Sequence, residues 1–437
     1  MSIGSTLAAA ALCCGLASAQ EGRKLTAAPD RRVELDLQHY YSARELQVAL
    51  NALSSAYPEF FRLESIGRSR AGQELWAITV ASRDGLEAKQ RPALLLVGSL
   101  GREDAFGAEL ALATLLEIAQ NHARDPALER ALDEATLYVV PSVNPDLRER
   151  AFAELEGRAP SASANGEFGD KAAAELDHNF PMLWDPLKNA HAGPYPLCEP
   201  ESRALAELIL ARPNIAIVER YGTGTPRTLG TTREWPAGDR ELHRRIAAES
   251  LLEGLEALDG RDGGLLAFAY GQHGAFVFSQ PVSFASSGAW ALPGVLEIQA
   301  LGRSVAPATL RLAYALPRLE LTQGAVEALG DERWSVDLQV ANRGRLPTSS
   351  ALGRERSACG LPSVTIAGAK IVGAALVQPD GGVATLAHRD GVVTLPDIAG
   401  GAVTVVRLFL AAPLETQAAL SVSAPRAGAI SVSIVLR

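Results

Sequence analysis

Two rhythms of apolar residues divide this chain near residue 317. Before that point, helix-spaced apolar positions alternate with short continuous apolar runs. After it, strict alternation takes over. In the first part, Ala93–Val97 (ALLLV) and Thr136–Val140 (TLYVV) are unbroken runs of the kind that fill buried strands. Phe61–Ile66 and Leu75–Ala81 read as strands joined by the turn GRSRAGQ, the second half-buried through Trp76, Ile78 and Val80. Ile215–Val218 reads as another. Helical spacing places Leu46, Leu50 and Leu53 on one face behind a Ser42–Glu45 capping box. It also places Leu110, Ala113, Leu116 and Ile118 on a helix from Phe106, and predicts a helix over Pro126–Asp133 with Asp125 as its cap. A further helix runs through Ala204, Leu208 and Ala211 to Pro213. Another covers Arg240–Leu258, with His243, Arg244 and Arg245 on a solvated face. The run Gly294–Leu301 (GVLEIQAL) reads as a strand, so Glu297 and Gln299, two apart, share a face. Strands alternating with helices in this way predict an α/β sheet covered on both faces.

From residue 317 the expected strands are Trp334–Ala341, Ser363–Ile366, Ile371–Val377, Val392–Leu395, Ala402–Leu410, Ala419–Ser423 and Ala429–Leu436. Short strands separated by turns such as Pro379–Gly382 predict a β-sandwich. The expected division is 34–316 for the α/β domain and 317–437 for the sandwich. Residues 20–33 form a polar linker. Residues 1–19 read as a signal peptide, apolar and ending Ala17-Ser18-Ala19, though no Lys or Arg precedes the apolar core. Export to the periplasm or the extracellular space follows, with no membrane span, because the run is too short to cross a bilayer.

Composition narrows the classes. With 47% hydrophobic and 21% charged residues over 437 positions, the chain has the makings of folded domains and not of disorder. Its net charge of −9 carries no basic cluster, so nucleic acid is excluded as a partner. Removal of the leader leaves Cys198 and Cys359, which an exported chain could pair but which, lying in different expected domains, read rather as two free or buried thiols. No C-x-x-C is present.

The candidate chemistry starts at the stretch LLLVGSLGREDAFGAEL, Leu94 to Leu110, a strand running through a Gly-containing loop into a helix. Such loops sit at the carboxyl end of a sheet, where α/β proteins place their sites. The stretch resembles the zinc loop of the carboxypeptidase A-like metallocarboxypeptidases, V-G-x-x-H-G-x-E-x-x-G-x-E-L. Val97, Gly98, Gly107, Glu109 and Leu110 match it. The resemblance extends from the opening Tyr40-Tyr41-Ser42 through IGRSRAGQELWAITV to Asn144-Pro145-Asp146, which taken alone is a turn. It continues through Asn179-Phe180-Pro181 with Trp184 to Gly193–Glu201 and Tyr221-Gly222. It implies a carboxypeptidase A-like mixed sheet with helices on both faces, followed by the β-sandwich.

The same resemblance implies where the chemistry would lie, and those positions depart from the family. Gly101, Asp104 and Glu219 stand at the zinc-ligand positions His, Glu and His. Glycine offers no ligand, Asp is a methylene shorter than Glu, and two carboxylates without a nitrogen donor make a poor zinc site. Asp177 and His178 stand where Asn and Arg would grip a substrate carboxylate. A histidine cannot reproduce the always-charged bidentate fork of arginine. Arg158 aligns with a second family arginine or is a solvated loop residue, and Asn144 and Tyr221 complete the substrate-side positions. The general-base position falls on Gln299 or, with the register slipped by two, on Glu297. The expectation is an exported pseudo-peptidase that keeps a peptide-binding cleft and needs no cofactor, with a peptide or protein as its ligand. The alternatives are an active zinc metallocarboxypeptidase that removes C-terminal residues and a structural or cell-surface protein that binds through its sandwich. If the loop keeps the family geometry, Gly101→His, Asp104→Glu and Glu219→His together would build a zinc site.

Overall fold

A six-stranded mixed sheet organises the first domain, in the order β1-β2-β4-β3-β5-β8. The computed structural model describes residues 29–101, 104–155, 175–223, 227–229, 236–250, 256–258, 264–282, 284 and 292–437. The expected leader, most of the linker and Arg158 lie outside the described residues. In chain order the first-domain elements are α1 (Ala43–Ala56), β1 (Phe61–Arg68), β2 (Glu74–Val80), β3 (Ala93–Val97), α2 (Gly107–Asn121), α3 (Pro126–Glu134) and β4 (Thr136–Val140). There follow α4 (Pro145–Leu155), α5 (Pro200–Leu210), β5 (Ile215–Thr223), β6 (Arg227–Leu229), α6 (Ala237–Glu249), β7 (Glu256–Leu258), α7 (Leu265–Phe268), β8 (Phe276–Val282) and α8 (Val295–Tyr314). The strands β4, β3, β5 and β8 run parallel, while β1 and β2 are added antiparallel at one edge.

Local chemistry accounts for the boundaries. Ser42 and Glu45 form the expected capping box at α1, and Asp125 accepts from Ala127 N and Leu128 N at α3. The parallel strands β3 and β4 are buried along their whole length, which is why they read as continuous apolar runs. Leu94, Leu96 and Ile217 face one helical layer with Leu110 of α2 and Leu312 of α8. Leu95, Val97 and Val218 face the other, with Leu205 and Ile209 of α5 and Phe268 of α7.

Several elements differ from the sequence expectation. Gly294–Leu301 is the first part of helix α8 and not a strand. A short apolar run fits either period, and Ile298, Val305 and Leu312 continue it at helical spacing well beyond Leu301. Asn144-Pro145-Asp146 opens helix α4, with Asn144 Oδ1 accepting from Leu147 N at 3.1 Å. The strand β2 is buried on both faces because Ile78 and Val80 pack into one core layer and Ala77 into the other. The helix expected over Arg240–Leu258 is α6, which ends at Glu249, and Glu256–Leu258 form the strand β7. His243 is not on a solvated face but buried and stacked on Phe278 with the ring centroids 4.4 Å apart. The end of the expected linker is docked, since Asp30 N donates to Gln120 O.

The C-terminal part is a β-sandwich of two antiparallel five-stranded sheets. Its elements are β9 (Leu319–Gly330), β10 (Arg333–Asn342), α9 (Ala351–Glu355), β11 (Ser363–Ala367), β12 (Lys370–Val377), β13 (Val383–Thr385) and β14 (His388–Arg389). The remaining strands are β15 (Val392–Thr394), β16 (Val403–Ala411), β17 (Thr416–Ala424) and β18 (Gly428–Leu436). One sheet runs β13-β12-β16-β10-β9 and the other β14-β15-β11-β17-β18. Trp334, Val336 and Leu338 from the first meet Val364, Leu420 and Val422 from the second. The sequence expectation omits β9, a mostly exposed edge strand whose polar and small residues carry no clear alternation.

Candidate functional site

The loop after β3 is fixed by close backbone approach. A Cβ on Gly98 would lie 2.4 Å from Pro141 O, and one on Gly107 would lie 2.5 Å from Ser99 N, so both positions require glycine. Ser99, at φ 41°, donates to Ala105 O at 2.9 Å and accepts from Ala108 N at 3.0 Å, capping α2. Behind the loop, Arg148 of α4 pairs with Glu109 of α2 at 2.5 Å, both fully buried. The same guanidinium donates to Ala105 O and Tyr41 O. Burial pushes the Glu109 carboxyl up and the Arg148 charge opposes this. This clasp holds the loop and the N-terminal segment on one support.

At the loop's end, Asp104 Oδ1 accepts from Gly101 N at 2.6 Å. Its other oxygen faces Arg220 of β5, with Nη2 to Oδ2 at 3.5 Å. Arg220 Nη1 reaches Asp177 Oδ2 at 2.5 Å, and Asp177 Oδ1 accepts from Leu265 N at 3.0 Å. One guanidinium thus stands between two carboxylates, and all three side chains are about nine-tenths or more buried. In register beside Arg220, the neighbouring strand β8 presents Ser279. Arg220 and Ser279 had no place in the sequence reading. The sequence signal that could place Ser279 on a strand is the short apolar run Phe276–Phe278 before it. Arg220 was visible only as the residue next to Glu219.

Glu219 points the other way. Adjacent strand residues face opposite sides of a sheet, and Glu219 is fully buried against α8, its Oε1 accepting from Thr309 Oγ1 at 3.1 Å. Its Oε2 has no hydrogen-bond partner, and burial pushes the carboxyl up to about 8. Tyr221, expected in the cleft, lies on this same core face with its hydroxyl 2.9 Å from Thr114 Oγ1. The residues at the family's zinc positions therefore do not converge. Gly101 has no side chain to offer, Asp104 is engaged with Arg220, and Glu219 is buried behind the sheet. Among the described residues no three His, Cys, Asp or Glu side chains are grouped to hold a metal ion.

The general-base positions also lie elsewhere. Glu297 is exposed in the first turn of α8, where its Oε2 accepts from Gly294 N at 2.9 Å. Gln299 is half-buried and lines a separate crevice with Arg31 and Arg303. On a helix, two residues apart do not share a face, so the pair is split. The edge strand beside β5 is β8, and its polar side chains are Ser279 and Gln280 with no carboxylate. Of the substrate-side positions, Asp177 is held by Arg220, and His178 Nε2 lies 3.6 Å from Glu175. Asn144 caps α4 and reaches Leu100 O at 3.4 Å. The Asn179 that survives in Asn-Phe-Pro is structural, bonded to Ala192 O, Glu199 N and Ser202 Oγ. Cys198 and Cys359 are both free thiols.

Comparison with known proteins places this geometry. The family profile described as zinc carboxypeptidase matches residues 46–225, and one described as a domain of unknown function matches residues 318–435. Carboxypeptidase D of Mus musculus is 29% identical over 198 residues, 45% of this chain and 13% of that protein. Carboxypeptidase SOL1 of Arabidopsis thaliana is 29% identical over 153 residues, 34% of this chain and 30% of that protein. The chain thus matches well under half the length of either relative. Among solved structures, thrombin activatable fibrinolysis inhibitor superposes with a TM-score of 0.53 at 16% identity, covering 67% of this chain and 77% of that one. Carboxypeptidase A of Helicoverpa armigera gives 0.52 at 16% identity, covering 67% and 78%. Both show the same fold.

Proposed function

We propose that this chain, whose first domain belongs to the metallocarboxypeptidase family, is an exported pseudo-peptidase that retains the fold and a peptide-binding cleft without the zinc chemistry. One observation carries the reading. The Arg220 guanidinium lies between Asp104 and Asp177, so a fixed side-chain cation engages both carboxylates beside the loop. Zinc held by three protein ligands, with an open fourth position, would supply Lewis-acid activation of water. The residues present do not fit it. Arg220 already holds both carboxylates as ion-pair partners, so an incoming divalent ion would have to displace it and meet its charge at close range. The strand β8 beside Arg220 offers Ser279, whose hydroxyl is too weakly basic to act as a general base.

The experiment is a metal assay on purified protein together with hydrolysis of a blocked C-terminal dipeptide. The expected result is far less than one zinc per chain and an intact dipeptide after prolonged incubation. Stoichiometric zinc with chelator-sensitive cleavage would establish the other reading, an active zinc carboxypeptidase. The family match is the observation that favours that reading.

A further inference from the structure

Where the two domains meet, α3 and the last turn of α8 face the start of the sandwich across a crevice of about 210 Å³. It lies beside Pro92, at the amino ends of the parallel strands, opposite the end that carries the Gly98–Asp104 loop. The α3 positions 127, 130, 131 and 134 all line it, which is the spacing of a single helix face. Its floor is apolar, formed by Ala131, Leu316 and Pro317, and three guanidiniums ring it, from Arg130, Arg318 and Arg343.

Two of the three are matched. Arg318 pairs with Glu134 at 2.8 Å, and Arg343 holds Glu320 through two bonds of 2.8 and 2.9 Å. Arg130 is exposed at the rim and, among the described residues, has no ion-pair partner. Glu134 also lines the crevice, so with these two pairs closed the one positive charge left unmatched at its rim, among the described residues, is that of Arg130. A guanidinium at the rim of an apolar pocket matches a carboxylate in a planar two-bond geometry. The volume is below the range of about 300–1,000 Å³ usual for drug-sized ligands, so the occupant must be compact.

We propose that this crevice binds a small organic carboxylate with a compact apolar body. The carboxylate lies on Arg130, and the body rests on Leu316 and Pro317. A ligand seated there touches both domains and so stabilises their junction. The site is independent of the peptide cleft and does not rest on its reading.

Phenylacetate serves as the probe and phenylacetamide, of the same shape without the charge, as its control, with thermal unfolding of the full chain as the readout. Phenylacetate is expected to raise Tm in a saturable way and the amide to leave it unchanged. Arg130→Gln, compared with its own unliganded Tm, is expected to weaken the effect at least tenfold. Ala131→Trp, which fills the crevice, is expected to abolish it. A rise of equal size with the amide, a rise unaffected by Arg130→Gln, or no saturable rise with phenylacetate would each overturn the proposal.

Discussion

Arg220 and Glu219 are neighbours in sequence that do opposite things because a strand turns them to opposite faces. Glu219 is an acid without a counter-charge. Its carboxyl is raised from 4.5 to about 8 by burial, with Thr309 donating a hydrogen bond that only partly offsets this. Between those values the unfolded chain releases a proton that the folded chain keeps, so unfolding is favoured as pH rises. The stabilisation is complete below pH 4.5 and is lost as pH climbs to about 8, at no more than about 1.4 kcal/mol per pH unit. Glu201, raised to about 7 by burial, acts in the same direction. A difference measurement therefore isolates Glu219. In urea unfolding at pH 5 and pH 8, Glu219→Gln is expected to lose part of the pH dependence of the wild type. An unchanged dependence would mean that Glu219 is not protonated in the folded state.

The same geometry reverses an expectation drawn from alignment. Gly101→His, Asp104→Glu and Glu219→His would complete a zinc site only if residue 219 faced the loop. It faces α8, and Arg220 remains between Asp104 and Asp177. The triple variant is therefore expected to take up no zinc by metal analysis after folding. Stoichiometric uptake would show that β5 can turn residue 219 toward the loop.

At the scale of elements, the loop that carries Asp104 depends on α2 and α4 being locked together by Glu109 and Arg148. A buried pair contributes little net stability, yet removing one partner leaves an uncompensated charge. Arg148→Met should therefore cost about 3–5 kcal/mol, read as a lowered urea midpoint at unchanged slope. A loss under about 1 kcal/mol would mean that Glu109 simply takes up a proton. Glu109 was legible in the sequence as a motif residue, whereas its partner was not, because Arg148 lies 39 positions away and gave no periodic signal. The same contrast runs through the fold. The capped helices α1 and α3 and the continuous strands β3 and β4 were readable because each declares itself locally. The helix α8 was misread from its first eight residues, whose alternation Gly-Val-Leu-Glu-Ile-Gln mimics a strand, and this misplaced the general-base position. The zinc-loop scaffold was readable from Gly98 and Gly107, where backbone contact permits no side chain. Arg220 was not, since its role arises from Asp104 and Asp177, brought to it by two other segments.

For the whole molecule, the question is whether two folds of different class behave as one body. Leu346 and Leu352, from the sandwich half, are buried in the two cores of the first domain. Asp239 of α6 accepts from Ala351 N at 2.9 Å, Leu352 N at 3.1 Å and Tyr270 OH at 2.7 Å, thereby holding the start of α9 against the first domain. Arg426, buried, donates to Gly274 O at 2.5 Å and to His273 O, and Ser350 Oγ donates to Gly274 O at 2.6 Å. Neither domain can leave without exposing these groups or burying them unpaired, and each orphaned buried polar group costs about 1–3 kcal/mol. The chain is accordingly expected to unfold in one calorimetric transition, with the sandwich and the sheet domain lost together. Asp239→Ala strips the acceptor from two backbone N–H groups and a tyrosine hydroxyl at once, enough to uncouple the halves. It should split the transition in two, with the C-terminal strands surviving or failing at their own temperature. Two transitions in the wild-type chain would mean that the junction is a contact between independent domains. The sandwich would then have to be considered as a binding module in its own right, apart from the cleft.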